Sequence, residues 1–262
     1  MKNYNAEDIC AALENAGIES SETVMMHSSP ITLGRFAGTN VADEIISAIR
    51  GYLGENGTLV VPAFNFDFCQ GTAFDRLKTP SKNMGVLSET VRLSTGAERS
   101  FHPMQSVAAI GKLAADICRR NTPTAFSPQS CFDRLLELNA KLLMLGVNFN
   151  AASFFHFAEE KISVPYRYFK TFTGEYIDED IREMREYQMY VRDLELNPQL
   201  DLRLLERKME AGKKIKRAKL GMGEIIVCSF ADLDGCACEM LEKDTLAFLK
   251  NKEDIAAKLS QR

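Results

Sequence analysis

The sequence predicts an α/β fold with a mixed, largely parallel sheet core, flanking helices and a smaller C-terminal subdomain. Three observations predict it. Residues 22–62 read as apolar run, amphipathic helix, apolar run; a further buried-type run, KLLMLG, occupies 141–146; and turn residues such as Pro30, Gly34, Gly54 and Gly57 mark the junctions. In order, residues 9–13 form a short helix closed by Gly17. Residues 22–26 (ETVMM) form a strand that ends in His27-Ser28-Ser29 and opens into a loop. Asn40 caps the next helix with Asp43 at its third position, and Val41, Ile45, Ile46, Ile49 and Leu53 give it one buried face. Residues 58–62 (TLVVP) are a second strand, so 22–62 is a βαβ unit with parallel pairing and a right-handed crossover.

Beyond that unit, 85–93 and 107–119 carry helical spacing, and the strand at 141–146 leads through a loop into 153–160. Residues 163–200 are aromatic and charged without a clean period, which fits an antiparallel extension or a lid. Residues 202–209 are helical by pattern, 213–219 basic, 224–230 (EIIVCSF) a strand, and 232–249 one or two closing helices. No repeat or low-complexity tract interrupts the chain. A single domain over 1–262 is expected, with 163–220 a lid or substrate subdomain within it.

A chain of 262 residues buries about three quarters of its unfolded surface and needs no staple to fold. Its net charge of -4 argues against nucleic acid, because duplex binders carry a basic excess. The polar N-terminus lacks a signal-peptide core, and no run approaches the ~18 apolar residues of a membrane span. A cytoplasmic protein without a membrane partner is expected. The 7 cysteines are odd in number and scattered, as reduced thiols are, and Cys236 and Cys238 lack the further ligands that zinc requires, so no metal is expected.

Three segments can carry chemistry. The loop HSSPITLGRFAG offers Ser28, Ser29, Thr32, Gly34, Gly38 and Arg35 after a strand, where backbone N–H groups can meet a diphosphate; an ordinary βα loop has the same look. Ser100 and His102, two apart before Pro103, point the same way if extended, although a satisfied structural histidine is the better reading of this segment taken alone. His156 and Glu159 stand at i and i+3 of a helix, so the carboxylate can orient the imidazole as a base, with Glu160 as a competing partner and a solvated helix face as the alternative.

Nine pieces now fall into order. H-S-S at 27–29, G-T-L-V-V-P-A-F at 57–64, F-D at 74–75, T-P-S at 79–81, M-G-V-L-S-E at 84–89, R-S-F-H-P at 99–103, S-P at 127–128, L-L-M-L-G-V at 142–147 and H-F-A-E at 156–159 together resemble the aminoglycoside 3-N-acetyltransferase family. The resemblance weakens from Val164 onward. It implies transfer of an acetyl group from acetyl-coenzyme A to an amine on that family's α/β fold. It further implies His156 as catalytic base with Glu159 orienting it. His27, Ser28, Ser29, Gly34, Arg35, Ser81 and Gly85 are then expected at the coenzyme A site, and Ser100 and His102 beside the thioester.

The chain departs from the family where Ala151-Ala152-Ser153-Phe154-Phe155 replaces a more polar stretch. A polycationic acceptor needs carboxylates; Asp178, Glu179 and Asp180 are candidates, though such a run also suits a solvated turn. Glu160, Arg167 and Lys170 are the expected substrate contacts, and the two cations suit an acceptor bearing phosphate or carboxylate. The partners expected are a small-molecule amine and coenzyme A, and a homodimer is the assembly entertained. A coenzyme A or amino-sugar binding protein with little catalysis, and an acyl hydrolase, are the competing readings.

Overall fold

The computed structural model describes residues 3–262. Strand β1 (Asn3–Tyr4) leads into helix α1 (Ala6–Asn15), which Asn5 caps: its side chain accepts from the Asp8 N–H while the Asp8 carboxylate accepts from the Asn5 N–H, both at 2.9 Å. Strand β2 (Thr23–Ser28), the short β3 (Arg35–Phe36) paired with β1, helix α2 (Val41–Leu53) and β4 (Thr58–Pro62) follow. The register Thr23↔Thr58 is parallel, as the βαβ reading expects. Asn40 sits at the head of α2, but its side chain donates to Asp43. The Glu44 carboxylate instead takes the N–H groups of Thr39 and Asn40, each at 2.9 Å.

Next come β5 (Phe74–Asp75), α3 (Val86–Leu93), β6 (Glu98–Arg99), β7 (Val107–Gly111), α4 (Ala114–Cys118), α5 (Cys131–Glu137), β8 (Lys141–Leu145) and α6 (Phe155–Ile162). The chain ends with β9 (Arg167–Asp178), β10 (Ile181–Arg192), α7 (Arg203–Ala211), β11 (Ile215–Leu220), β12 (Gly223–Ser229), α8 (Phe230–Lys243) and α9 (Lys252–Leu259). Seven strands form the main sheet in the order β11-β12-β8-β2-β4-β7-β6. Only the pairings of β2 with β8 and with β4 are parallel; the outer four are antiparallel. The sheet is mixed, as expected, and its parallel pairing is confined to the centre. The two-residue turn Gly221-Met222 imposes antiparallel pairing on β11 and β12, whereas β4 reaches β7 and β8 reaches β12 through long connections that permit either direction.

Two further expectations change. Residues 107–119 are a strand and a short helix, not one helix. Val107 and Ala109 pack in one core and Ala108 and Ile110 in the other, and a strand buried on both faces shows no alternation to distinguish it from a buried helix. The C-terminal segment is not a separate subdomain: β12 pairs with β8 inside the main sheet, and α8 packs on α6. What stands apart is the hairpin β9–β10, which joins β5 in a sheet of three over a small core of Phe68, Phe74, Met104, Tyr176 and Tyr187. Residues 203–220, expected with the lid, belong to the main body. Among the described residues no helix is long and apolar enough to cross a membrane.

The main sheet is buried on both faces. Val24 and Met26 point to the side of α1, α2 and α3, and Met25 to the side of α4, α5, α6 and α8. Strand β2 lies between β4 and β8; the loop after β2 leads to α2 on one face of the sheet and the loop after β8 to α6 on the other. A crevice therefore opens at the carboxyl ends of β2 and β8, the usual place for a ligand in an open α/β sheet.

Candidate active site

Helix α6 starts just beyond that crevice, and its sequence sorts its side chains. Phe155, Phe157 and Ala158 face the core, while His156 turns to the opening with its side chain 31% exposed. Glu159 lies one turn on and is fully buried. A buried carboxylate needs several donors. Glu159 has the His156 Nδ1, with which it makes a short hydrogen bond, and the Tyr166 hydroxyl, which donates at 2.8 Å. Arg167 Nε lies 2.9 Å away without hydrogen-bond alignment, so that contact is held by charge. Burial alone raises the Glu159 pKa, but the imidazole, Arg167 and Tyr166 outweigh it and hold the group below the ordinary carboxylate range. Burial next to that charge drives the Tyr166 phenol strongly upward, which keeps it a donor.

The arrangement assigns the tautomer of His156. Arg167 Nη2 lies 3.2 Å from Nδ1, but a buried carboxylate beside the same nitrogen favours a proton there. Nε2 then carries the lone pair, and it makes no hydrogen bond among the described residues. It faces a cleft of about 610 Å³, walled by Phe64, Phe66, Phe126, Tyr168, Phe172 and Tyr190 together with Gln105, Ser153, Arg167, Lys170 and Arg192.

The end of β2 meets the loop before α6 here. His27 is buried, its Nε2 is 3.1 Å from Ser153 Oγ, and burial pushes its pKa down to about 4, so it is a neutral tie between β2 and the loop before α6. Ser28 Oγ is buried and has no partner. Gly85 opens α3 beside it with φ 84°, and a Cβ there would stand 3.6 Å from the Ser28 carbonyl. The loop is fastened from below, with Thr32 Oγ1 2.5 Å from the Gly146 carbonyl. Gly146, at φ 69°, leaves no room for a side chain, since a Cβ would lie 2.5 Å from that hydroxyl.

Other expected residues lie elsewhere. His102 accepts the Gln105 N–H at Nδ1 (3.1 Å) and so donates from Nε2 to the Gln188 carbonyl (3.0 Å). Burial, only partly offset by that carbonyl, lowers its pKa to about 4. It fastens β10 to the 102–105 turn and has no nitrogen free for a thioester. Ser100 is buried, and its hydroxyl accepts the Val107 N–H at 2.9 Å, so it too is structural. Ser81 gives its hydroxyl to Glu89 at 2.7 Å. Gly34 and Arg35 run to the edge of β1, and neither lines the cleft. Glu160 turns away from the cleft and takes the Thr124 hydroxyl at 2.5 Å, and its burial raises its pKa. Asp178 is paired with Arg76 at 2.7 Å, and Glu179 and Asp180 form the hairpin turn, roughly 23 Å of strand beyond Phe172, the β9 residue of the cleft nearest the turn, at ~3.3 Å per residue. The acidic run therefore cannot serve the cleft.

Sequence reasoning passed over Tyr166 and Arg192. Tyr166 follows Glu159 by seven residues with no periodic signal, and Arg192 reaches the cleft only because the hairpin register sets it opposite Arg167.

A cleft-facing imidazole oriented by a buried carboxylate, at the carboxyl ends of parallel strands, defines an α/β protein with a site for acid–base chemistry. The family model for aminoglycoside 3-N-acetyltransferase matches residues 25–242, and the chain belongs to that family. Aminoglycoside N(3)-acetyltransferase IV of Salmonella sp is 31% identical over 170 residues, covering 62% of this chain and 61% of that relative, so the match spans about three fifths of its length. The crystal structure of aminoglycoside acetyltransferase AAC(3)-Xa superposes with a TM-score of 0.82 at 22% identity, over 92% of this chain and 93% of that one. AAC-IIIb in its binary complex with CoASH gives 0.81 at 19% identity, over 95% and 98%. At these identities the two structures speak to the fold.

Proposed function

We propose that this protein is an N-acetyltransferase that moves an acetyl group from acetyl-coenzyme A to a primary amine of a small molecule, with His156 as general base. The observation that carries the reading is the pairing of His156 Nδ1 with the buried Glu159 while Nε2 stays free in the cleft. Nε2 takes a proton from the acceptor nitrogen, which attacks the thioester carbonyl carbon. The C–N bond forms, the C–S bond breaks, and the proton passes from the imidazolium to the departing sulfur, leaving an amide and a thiol. Glu159 stabilises the imidazolium formed midway and holds the ring in one tautomer, and Tyr166 and Arg167 hold Glu159.

The unpartnered Ser28 hydroxyl beside the glycine-led start of α3 suits a phosphate or carbonyl oxygen of the coenzyme. Ser28, Ser29 and Gly85 are accordingly its proposed contacts, and the binary complex of the AAC-IIIb relative with CoASH supports a coenzyme of this kind. The test is thiol release from acetyl-coenzyme A across a panel of amines. Acceptor-dependent release supports acetyl transfer; release without any acceptor means hydrolysis; coenzyme binding without release means a binding protein.

A further inference from the structure

The acceptor end of the cleft has a charge pattern that the family relationship does not predict. Three cations line it, Arg167, Lys170 and Arg192, and no Asp or Glu does among the described residues. Arg167 is answered by Glu159. Lys170 and Arg192 have no ion pair among the described residues, and the Lys170 ammonium lies over the Phe172 ring, 5.3 Å from its centroid. The hairpin register also sets Arg192 directly across from Arg167, so two guanidinium groups share one face and only Arg167 has a carboxylate beside it. The nearest acidic run is engaged or remote: Asp178 belongs to Arg76, and Glu179 and Asp180 are at the far tip of the hairpin.

We infer that the acceptor is an amine carrying a phosphate or carboxylate, that Lys170 and Arg192 hold this anion, and that polycationic acceptors are disfavoured. This rests on the acetyl-transfer reading for the word acceptor, but the anion preference is readable without turnover. A guanidinium presents paired donors to either oxyanion and a flexible ammonium adjusts to the anion's position; both side chains line the cleft, Arg192 from across Arg167 and Lys170 from across Met189, three residues along the strand. Phe66, Tyr168 and Phe172 give the body of such a molecule apolar walls, and His156 stands in the same cleft to receive the proton of its amine. The coenzyme's own anionic groups have the Ser28 and Gly85 corner, on loops of the main sheet, whereas Lys170 and Arg192 stand on the hairpin.

Matched pairs test this. Glucosamine and glucosamine 6-phosphate differ by a phosphate, cadaverine and lysine by a carboxylate, and sisomicin represents the polycations. Calorimetry of the full-length protein is expected to give binding at least tenfold tighter for an anionic member than for its uncharged-tail counterpart and than for sisomicin. The phosphate and carboxylate pairs tell which oxyanion is preferred. The Lys170→Ala/Arg192→Ala double variant is expected to lose most of that margin while its affinity for coenzyme A stays within twofold. Equal binding within both pairs, or tighter binding of sisomicin, overturns the inference. So does a double variant that keeps the margin and instead loses coenzyme A. If the margin is found and yet no thiol is released from acetyl-coenzyme A with any acceptor, the anion preference stands and the acetyl-transfer reading fails.

Discussion

The two walls of the cleft are built on opposite principles. On the α6 side, charge is buried and answered: Glu159 is fully enclosed and has three neighbours that stabilise it. On the hairpin side, Lys170 and Arg192 are exposed and unanswered, on a small sheet that is separate from the main one. A group that must keep one protonation state and one orientation gains from a rigid, dry setting, whereas groups that recognise a variable ligand gain from being open to it. On the proposed function and the inference drawn from it, α6 carries the chemistry, with Arg167 of the hairpin supporting Glu159, and the rest of the hairpin carries selection.

Variants on each wall can break that division. The largest effect is expected from His156→Ala, with turnover down by about 10² to 10⁴ and a loss of thermal stability smaller than that of Glu159→Ala, because the ring is partly exposed and fills no core position but is one of the donors of Glu159. A comparable fall in thermal stability, seen by calorimetry, would mean that the ring is a structural element. Glu159→Ala is expected to reduce both, since it leaves Arg167 and the Tyr166 hydroxyl without their buried partner; removal of one member of a buried pair costs about 3–5 kcal/mol, measured by denaturant titration.

The other two histidines give a smaller, pH-dependent effect. His27 and His102 titrate at about 4 when folded and near 6.5 when unfolded, so the unfolded chain binds more protons between those values. Their stabilising contribution is complete above about pH 6.5 and declines as the pH falls toward 4, by about 2 kcal/mol each at pH 5 from the linkage relation. His102→Gln should flatten this part of the stability profile, and an unchanged slope would show that His102 is not buried neutral. The smallest effect belongs to Glu160, whose raised pKa means that its charge opposes folding at neutral pH. Glu160→Gln should be neutral or slightly stabilising at pH 8, with no loss of turnover. A drop in turnover there would put Glu160 in the cleft after all.

Much of the main body was legible from the residues. The βαβ unit showed through its helical spacing between two apolar runs, and the H-x-x-E spacing put His156 and Glu159 on one face of α6 before any contact was known. What could not be read depends on long-range pairing. Strand β7 is buried on both faces and shows no alternation, and Arg192 meets the cleft through a register of 12 pairs that no local signal encodes. His102 and Ser100 looked reactive because their types and spacing suit chemistry, but their polar atoms satisfy Gln105, Gln188 and Val107. Residue type announced a possible role, and only the hydrogen-bond partners distinguished a tie from a base.

The central claim is that Glu159 acts through His156 as one unit, and a double-mutant cycle on turnover tests it most directly. With thiol release from acetyl-coenzyme A as the readout, His156→Ala, Glu159→Gln and the double variant are compared with the parent. Groups that act as a unit are strongly non-additive. The account predicts that the double variant is about as slow as His156→Ala alone; a double variant slower by the product of the two single losses would contradict it.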